Sequence, residues 1–325
     1  MKINIYDEAV NRVLMIGDHY VSCYWVEGFN TTGQFTLELQ AKDEYKTKIK
    51  RDYFVGRTDR KALMVVTGIE AKNDKIIVSG KTADRVLNDC AMMGRIRSYQ
   101  DIDTTVKMLY NSSDKISGVE YADTNLGVDA SMQISNKDFQ TVSLSLAQKN
   151  NIGFRVTKGN GVAVAEFYLP QTKNAVFAEK YGNLVIDRLY FSNEKYKNYA
   201  IVLGEGEGES RARVDVDLSN GERKRQIVID ARDIQREEGE TDEEYNQRLT
   251  DRGVDKLLEL TQASAVGITV PPEEFGKYYD LGDIVTVLLD DFGIKFKTYI
   301  ARVSQKAQRN IITTTVEIGD IAIVR

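Results

Sequence analysis

The chain has 325 residues, of which 42% are apolar and 29% charged, and its net charge is −5 at pH 7. This balance is typical of a soluble globular protein of two or three domains, and it excludes a disordered chain or a proline-rich stalk. No basic run with interleaved aromatic residues appears, which disfavours a dedicated nucleic-acid-binding protein. No apolar stretch is long enough to span a bilayer and the first residues lack a signal-peptide pattern, so we expect no stable membrane insertion and no secretion signal.

The first third of the chain predicts β-strands. Apolar and polar residues alternate over 35–39, which places Phe35, Leu37 and Leu39 on one buried face. Further strands are predicted at 21–26, 63–71 and 75–79. The last two are separated by the polar turn Lys72-Asn73-Asp74, which predicts a hairpin.

The middle of the chain predicts helices mixed with strands. Apolar residues at three- and four-residue spacing over 81–93, followed by Gly94, predict a short amphipathic helix. Further helices are predicted at 104–110 and 138–149, and strands at 161–169 and 184–191.

After a return to β character over 196–230, with a predicted hairpin turn at 219–222, one long helix is predicted. Thr241-Asp242-Glu243-Glu244 has the form of a capping box, in which Thr241 caps the helix and Glu244 binds back to it. The charged segment 235–240 before it is predicted to be a solvated loop. The side chains predicted on the packing face of the helix are Tyr245, Leu249, Val254, Leu257, Leu258 and Thr261.

The last fifty residues predict an antiparallel meander of a size suited to a small barrel. Its strands are predicted at 284–289, 295–303 and 311–318, with turns at 290–293 and 307–310. In the final strand, Ile312, Thr314, Val316 and Ile318 share one face. The hairpin over 298–319 has the same order of strand, turn, strand and glycine as residues 64–80. An internal repeat and two unrelated hairpins both fit this similarity; a repeat would give two similar barrels around a different middle.

The sequence predicts no catalytic, cofactor-binding or metal-binding residue. His19 is the sole histidine, whereas nucleophilic catalysts and zinc sites normally need at least one well-placed histidine beside other ligands. We therefore expect His19 to be a surface or packing residue, and Cys23 and Cys90 to be small buried thiols.

Three segments resemble ligand-binding motifs without meeting their requirements. Gly204–Glu209 lacks the third glycine of a phosphate loop and carries glutamates, so we expect a flexible acidic loop. In 215–226 the glycine comes late and Gln226 replaces the bidentate glutamate of a calcium loop, so an ordinary hairpin turn is expected. The segment 290–293 resembles a kinase magnesium motif but has no supporting lysine or catalytic loop, so it is expected to be a turn between two strands. A two-carboxylate glycosidase stays open, since such pairs have no fixed spacing.

Several segments in order carry a family resemblance. They are Val78-Ser79-Gly80-Lys81, Phe191-Ser192-Asn193, Tyr196-Lys197-Asn198, Ala200-Ile201-Val202, Gly221-Glu222-Arg223, residues 228–233, Arg252-Gly253 and residues 279–287. The most specific is Leu281-Gly282-Asp283-Ile284-Val285. Together they resemble the baseplate hub family of long-tailed phages, including the N-terminal hub of tail-associated lysins.

The resemblance implies a non-enzymatic structural protein of the virion tail tip, assembled in the bacterial host cytoplasm and without cofactors. It implies a homotrimer in which each subunit contributes two barrels to a pseudo-sixfold ring, which closes the tail tube and opens for the tape-measure protein and DNA. The implied partners are the distal tail or tail-tube ring protein, the tape-measure protein, and a tail fibre, spike or receptor-binding protein. DNA would pass through the lumen without sequence-specific binding.

We therefore expect an α+β fold, predominantly β, with two small antiparallel β-barrels, a helix-containing inserted domain and one long helix before the second barrel. The expected domains are 1–79 with 186–236 (first barrel), 80–185 (insertion) and 237–325 (long helix and second barrel). We expect no C-terminal peptidase, glycosidase or receptor-binding extension. The alternatives are the hub of a contractile injection particle such as a tailocin, a tail-associated cell-wall glycosidase, and a carbohydrate-binding module that uses the tyrosines and Trp25.

Overall fold

The computed structural model describes residues 1–95, 101–129, 135–191, 194, 196–237, 239–260, 263–309 and 311–319. The fold is predominantly β, as predicted. The strands are β1 Ile3–Tyr6, β2 Arg12–Gly17, β3 Ser22–Gly28, β4 Thr31–Gln40, β5 Phe54–Arg57, β6 Leu63–Lys72, β7 Lys75–Thr82, β8 Ala91–Arg95, β9 Val119–Tyr121, β10 Ser135–Asp138, β11 Gly153–Lys158, β12 Ala163–Tyr168, β13 Thr172–Ala178, β14 Val185–Phe191, β15 Tyr199–Leu203, β16 Arg213–Asp217, β17 Gln226–Asp230, β18 Ala263–Val270, β19 Ile284–Leu289, β20 Ile294–Gln308 and β21 Ile311–Ile318. The α-helices are α1 Asp43–Lys48, α2 Ile102–Asn111, α3 Phe139–Lys149 and α4 Asp242–Glu259.

The described residues divide into two compact units. Unit 1 comprises residues 1–176, 269–285 and 299–319, and unit 2 comprises 177–268 and 286–298. None of the described helices has the length and apolar character needed to cross a membrane.

Unit 1 contains a long antiparallel sheet in the order β2-β1-β5-β6-β7-β4-β3, continued by the part of β20 from Ile300 onward and by β21. The alternation predicted for β4 is confirmed, since Phe35, Leu37 and Leu39 are buried. They pack with Trp25 of β3 and with the inward side chains of neighbouring strands in one core. The predicted hairpin of β6 and β7 is confirmed as well, with Asn73 in the left-handed conformation that its tight turn requires.

A second core in unit 1 lies against the other face of β1, β5 and β6. It contains Tyr6, Phe54 and Leu63 from these strands together with apolar residues of α2 and α3. Two small sheets, β11-β12-β9 and β10-β8, belong to the same region. The helices predicted at 104–110 and 138–149 are confirmed as α2 and α3.

The helix predicted over 81–93 is wrong. Strand β7 continues to Thr82, a 3-10 helix follows at Ala83–Asp89, and β8 begins at Ala91. The physical reason is the spacing of the buried residues: Asp84, Leu87 and Cys90 recur every third position, which suits three residues per turn. The α-helical interpretation had used the apolar residues alone and left out the buried Asp84.

Unit 2 contains a three-stranded sheet in the order β16-β15-β17, with α4 packed on one face. The turn predicted at 219–222 is present, since the Glu222 N–H donates to the Ser219 carbonyl at 2.8 Å. The hairpin predicted around it is wrong, because β15 lies between the two strands that the turn connects. Strand β15 is antiparallel to β16 and parallel to β17.

The long helix α4 begins as predicted. The Glu244 N–H donates to the Thr241 hydroxyl, and the Glu244 carboxylate accepts from the Thr241 N–H, which completes the capping box. Tyr245, Leu249 and Leu257 are buried against the sheet, and Val254 is partly buried. The side chain of Leu258 and the whole of Thr261 lie outside the described residues. The described residues of the segment 235–240 form a loop, in which Glu240 forms an ion pair with Arg248 of α4.

Candidate functional site

The segment that carries the most specific part of the sequence resemblance forms a tight loop in unit 1 before β19. Gly282 has φ +83, and a Cβ at this position would lie 2.5 Å from the Phe29 ring. The Gly282 N–H donates to the Ile300 carbonyl at 2.9 Å, and the Ile300 N–H donates to the Asp283 carbonyl at 3.0 Å. The Asp283 carboxylate accepts the Asp280 N–H at 2.8 Å. The Gly-Asp pair of this sequence is therefore explained by two requirements. Gly282 is left-handed and packs closely against the Phe29 ring, and Asp283 closes the turn by accepting the Asp280 N–H.

Arg60 connects this loop to the sheet. Its guanidinium donates to Glu27 of β3, with Nη2–Oε2 at 2.9 Å, and to Asp280, with Nη1–Oδ1 at 2.6 Å. The guanidinium carbon lies 5.0 Å from the centre of the Phe275 ring. Burial alone would lower the pKa of Arg60, but the carboxylates of Glu27 and Asp280 raise it above its ordinary value. The ion pair with Glu27 is buried, so removing one partner would leave the other charge unpaired.

A second arginine, the last residue of β5, is buried as well. The Arg57 side chain is 1% exposed and donates to Asp59 and to Gln305 of β20, each at 2.5 Å. It also lies over the Trp25 ring, at 5.5 Å from the ring centre. The indole Nε1–H of Trp25 donates to Glu27 at 2.8 Å. The two arginines therefore hold one turn against β3, β20 and the 280–283 loop through a single polar network.

This network borders a cleft of about 490 Å³ whose lining holds five carboxylates and five cationic side chains. Glu27 and Asp280 bind Arg60, and Asp283 lies 3.7 Å from the ammonium of Lys173. Asp84 accepts from the Gln140 amide at 2.7 Å, and burial raises its pKa. These carboxylates all have structural partners, which favours a role in holding the cleft together over the two-carboxylate chemistry of a glycosidase.

His19 lies elsewhere in unit 1, in the lining of a cavity of about 690 Å³ with Tyr20, Tyr45 and Arg309. Within the described ranges, no group of three or more His, Cys, Asp or Glu side chains is arranged to hold a metal ion. Cys23 and Cys90 are free and buried, as predicted, and burial raises the pKa of Cys23 to about 11.

The segments with superficial motif similarity have structural roles. Gly206 and Gly208 have positive φ, and the neighbouring Glu205 N–H donates to the Tyr245 hydroxyl at 2.8 Å. Asp217 binds Lys224 at 2.8 Å. The turn predicted at 290–293 is confirmed as a 3-10 turn, Asp290–Phe292, that ends at Gly293 with φ +62.

Sequence reasoning missed the arginine network. Glu27 lies 33 positions from Arg60, and Asp280 lies 220 positions from it. No spacing rule relates residues so far apart, and the one available signal was the Leu281-Gly282-Asp283 motif next to Asp280.

The fold defined by these strands is that of phage tail proteins. The chain is similar to the prophage tail protein gp18 from Listeria monocytogenes EGD-e, with a TM-score of 0.65 and 12% identity over 98% of this chain and 94% of that one. It is also similar to the 43 kDa tail protein of prophage MuSo2 from Shewanella oneidensis, with a TM-score of 0.61 and 15% identity over 98% of this chain and 98% of that one. A tail protein from Neisseria meningitidis MC58 has a TM-score of 0.59 and 12% identity over 99% of this chain and 96% of that one.

Residues 2–320 match the model of the Siphovirus ReqiPepy6 Gp37-like protein family, and the chain belongs to this family. Comparison with curated proteins found no match. The predicted resemblance to phage tail proteins is therefore confirmed at the level of family and fold.

Proposed function

We propose that the chain is a tail-tip hub, three copies of which form a pseudo-sixfold ring that closes the distal tail tube. The observation that carries this proposal is a repeated strand order. The order β3-β4-β7-β6 recurs as β14-β18-β21-β20. Strand β5 pairs with β6 and with β1, and in the same way β19 pairs with β20 and with β13. Each chain thus supplies two similar sets of strands, which supports the internal repeat expected from the two hairpins.

The two hairpins agree in detail. Lys72 pairs with Lys75 in the first and Gln308 with Ile311 in the second, so both have two-residue turns. The first turn residue is left-handed in both, Asn73 with φ +53 and Arg309 with φ +51. Each hairpin also has one register shift, but the shifts are not equivalent: the shift lies five pairs from the turn in the first and seven pairs from the turn in the second. The shared left-handed turn residue, together with the repeated strand order, favours a true repeat over two unrelated hairpins.

The two sets differ at one edge, which is paired in the set β14-β18-β21-β20 and open in the set β3-β4-β7-β6. Residues 302–308 of β20 pair with β3, whereas residues 68–72 at the equivalent end of β6 pair only with β7 in the described part of the chain. Ile69 on this edge is 41% exposed. Strand β14, the counterpart of β3, pairs with β18 alone among the described strands. An open strand edge is a template for pairing with another strand.

Continuation of the same pairing between copies would join β6 of one subunit to β14 of the next. This contact is head-to-tail, and a head-to-tail contact forms a ring when its rotation closes. Two strand sets in each of three chains give the pseudo-sixfold ring. We propose that each set forms a small barrel and that the second barrel includes β13 and β14 beside the residues from 237 onward. The insertion is then the part of 80–185 that lies between β7 and β13.

The long sheet of unit 1 packs on one face against the core that contains Trp25, Phe35 and Leu37, and its opposite face would line the channel. This opposite face carries the hydroxyl side chains of Thr36, Ser79, Ser304, Thr313 and Thr315. Tyr24, Ile77 and Lys306 lie on the same face. A mainly polar wall suits passage of the tape-measure protein and of DNA without sequence-specific contact. The adjoining partners would be the sixfold tail-tube or distal-tail ring and a threefold spike or fibre. The role is structural, in line with the partnered carboxylates of the cleft.

The test is the mass of the purified chain by sedimentation. We expect a particle of three times the 36.7 kDa of one chain. Thr67→Lys with Ile69→Lys places two charges on the open β6 edge and should give monomers. Met108→Lys changes another apolar residue, 57% exposed, and should leave the particle intact. A wild-type chain that stays monomeric at high concentration and beside the adjoining tail proteins would contradict the proposal.

A further inference from the structure

The geometry points to a binding surface on the unit 2 sheet β16-β15-β17 for an acidic, extended segment of another protein. Helix α4 covers one face of this sheet, over the buried Ala200 and Val202 of β15. Alternation along β15 places Tyr199, Ile201 and Leu203 on the opposite face. These three side chains are only partly buried. This surface, the β15 face, is independent of the ring proposed above.

The centre of the β15 face is aliphatic. The strand register places Ile201 between Asp215 and Val228, and Leu203 between Arg213 and Asp230. Val228 is 61% exposed, although it lies in the middle of its strand. An apolar centre with a charged rim is the usual composition of a protein-binding surface.

The rim of the β15 face is ordered by ion pairs. Arg213 binds Asp215 at 2.8 Å, and the Tyr199 hydroxyl donates to the same carboxylate at 2.9 Å. Asp230 accepts from Arg211 at 2.7 Å and from Arg232 at 2.6 Å. At the other end of the sheet, Lys224 binds Asp217 at 2.8 Å and lies over the Tyr199 ring. The carboxylates thus fix the orientation of the neighbouring cations.

The ion-paired side chains of the rim carry one net positive charge, although the chain as a whole is acidic. Four cations, Arg211, Arg213, Lys224 and Arg232, accompany three carboxylates, Asp215, Asp217 and Asp230. Each guanidinium has five N–H donors. Arg213 uses Nε and Nη2 on Asp215, and Arg232 uses Nε and Nη2 on Asp230, so the Nη1 groups of both can bind an incoming carboxylate. The charge of the rim therefore favours an acidic partner.

The edge of the sheet favours a polypeptide over a nucleic acid. In the described part of the chain β17 pairs with β15 only, and it presents Ile227, Val228 and Ile229. Strand β16 at the other edge carries three charged residues, which protect an edge against pairing, whereas β17 carries one, Asp230 at its end. An added peptide strand would satisfy the β17 backbone and cover Val228, whereas DNA phosphates would engage the arginines alone.

The test uses a random peptide library selected on the immobilised full chain, followed by fluorescence anisotropy with the enriched peptides and with a short duplex DNA. We expect the library to yield peptides in which acidic and aliphatic residues alternate. Val228→Glu adds a negative charge to the centre of the β15 face and should weaken their binding by at least about tenfold. Met108→Glu adds the same charge at an exposed apolar residue of unit 1 and should bind as the wild type does.

Three results would overturn the inference. The library could yield no acidic sequences, Val228→Glu could bind the peptides as well as Met108→Glu does, or duplex DNA could bind with the same sensitivity to Val228→Glu. A thermal unfolding midpoint equal to that of the wild type will show that Val228→Glu is folded.

Discussion

At the scale of single residues, Gly282 illustrates how one position can be required for two separate reasons. Its φ of +83 disfavours any side chain, and a Cβ would also meet the Phe29 ring at 2.5 Å. Gly276, in the same segment, has φ +77, but a Cβ there would have nothing within 4 Å. The pair therefore separates backbone strain from steric contact.

We expect Gly276→Ala to lower the free energy of unfolding by about 1 kcal/mol, the cost of a left-handed alanine. Gly282→Ala should cost roughly 2 kcal/mol or more, because crowding against Phe29 adds to that strain. Urea unfolding of both variants measures the difference. Equal losses would show that the Phe29 contact is unimportant.

The buried Asp84 should make stability depend on pH. Burial raises its pKa above the ordinary value of 3.8, and hydrogen bonds from Thr82 and Gln140 oppose this only in part. The folded protein therefore keeps a proton that the unfolded chain releases, so wild-type stability falls as the pH rises through the folded pKa. In Asp84→Asn the side chain at this position no longer titrates, so this loss of stability with rising pH is absent. Relative to the wild type, the variant should gain stability between pH 3.5 and pH 7.5.

Asp138 provides a control of opposite sign. Burial alone would raise its pKa, but hydrogen bonds from the Thr141 N–H and hydroxyl outweigh burial and lower it. The contribution of the Asp138 carboxylate to stability is present above the pKa of the unfolded chain and is lost as the pH falls through the lower pKa of the folded protein. Asp138→Asn should therefore lose more stability at pH 7.5 than at pH 3.5. Urea unfolding at both pH values tests the two variants, and a pH-independent difference for Asp84→Asn would contradict the first expectation.

At the scale of elements, α4 shows packing overriding helix propensity. Gly253 lies inside the helix, where alanine is normally better by about 1 kcal/mol. However, a Cβ at this position would lie 2.6 Å from Val216 and 2.9 Å from Val202 of the sheet. This close approach explains why the Arg252-Gly253 segment has a glycine.

We expect Gly253→Ala to destabilise the protein by about 1 kcal/mol, since crowding outweighs the gain in propensity. Asn246→Ala at an exposed position of the same helix should stabilise by about 0.5 kcal/mol. Thermal unfolding followed by circular dichroism compares the two. A stabilised Gly253→Ala would refute the close-packing explanation.

The elements that the sequence predicted correctly are those specified by neighbouring residues. The capping box at Thr241, the alternation around Leu37 and the turn at Asn73 each depend on a few adjacent positions. The helix predicted at 81–93 failed because apolar spacing alone does not distinguish an α-helix from a 3-10 helix when a buried polar residue, Asp84, sets the period. The hairpin predicted at 219–222 failed because a turn does not determine which strands become neighbours.

At the scale of the whole molecule, the sequence suggested a repeat but could not supply the strand pairing that supports it. The hairpins containing Asn73 and Arg309 have little identity, and their similarity is in the left-handed first turn residue and in the order of the neighbouring strands. The Arg60 network was beyond prediction for the same reason, since its partners meet only in the folded chain. The pairing of β20 with β3, and the open edge at Ile69, became visible only in the structure.

The most direct measurement of the central claim is electron cryo-microscopy of the purified chain in solution. We expect a ring of three subunits in which six similar strand sets surround a channel, with β6 of each copy paired with β14 of the next. A monomer, or a ring whose subunits meet without strand pairing at β6, would contradict it.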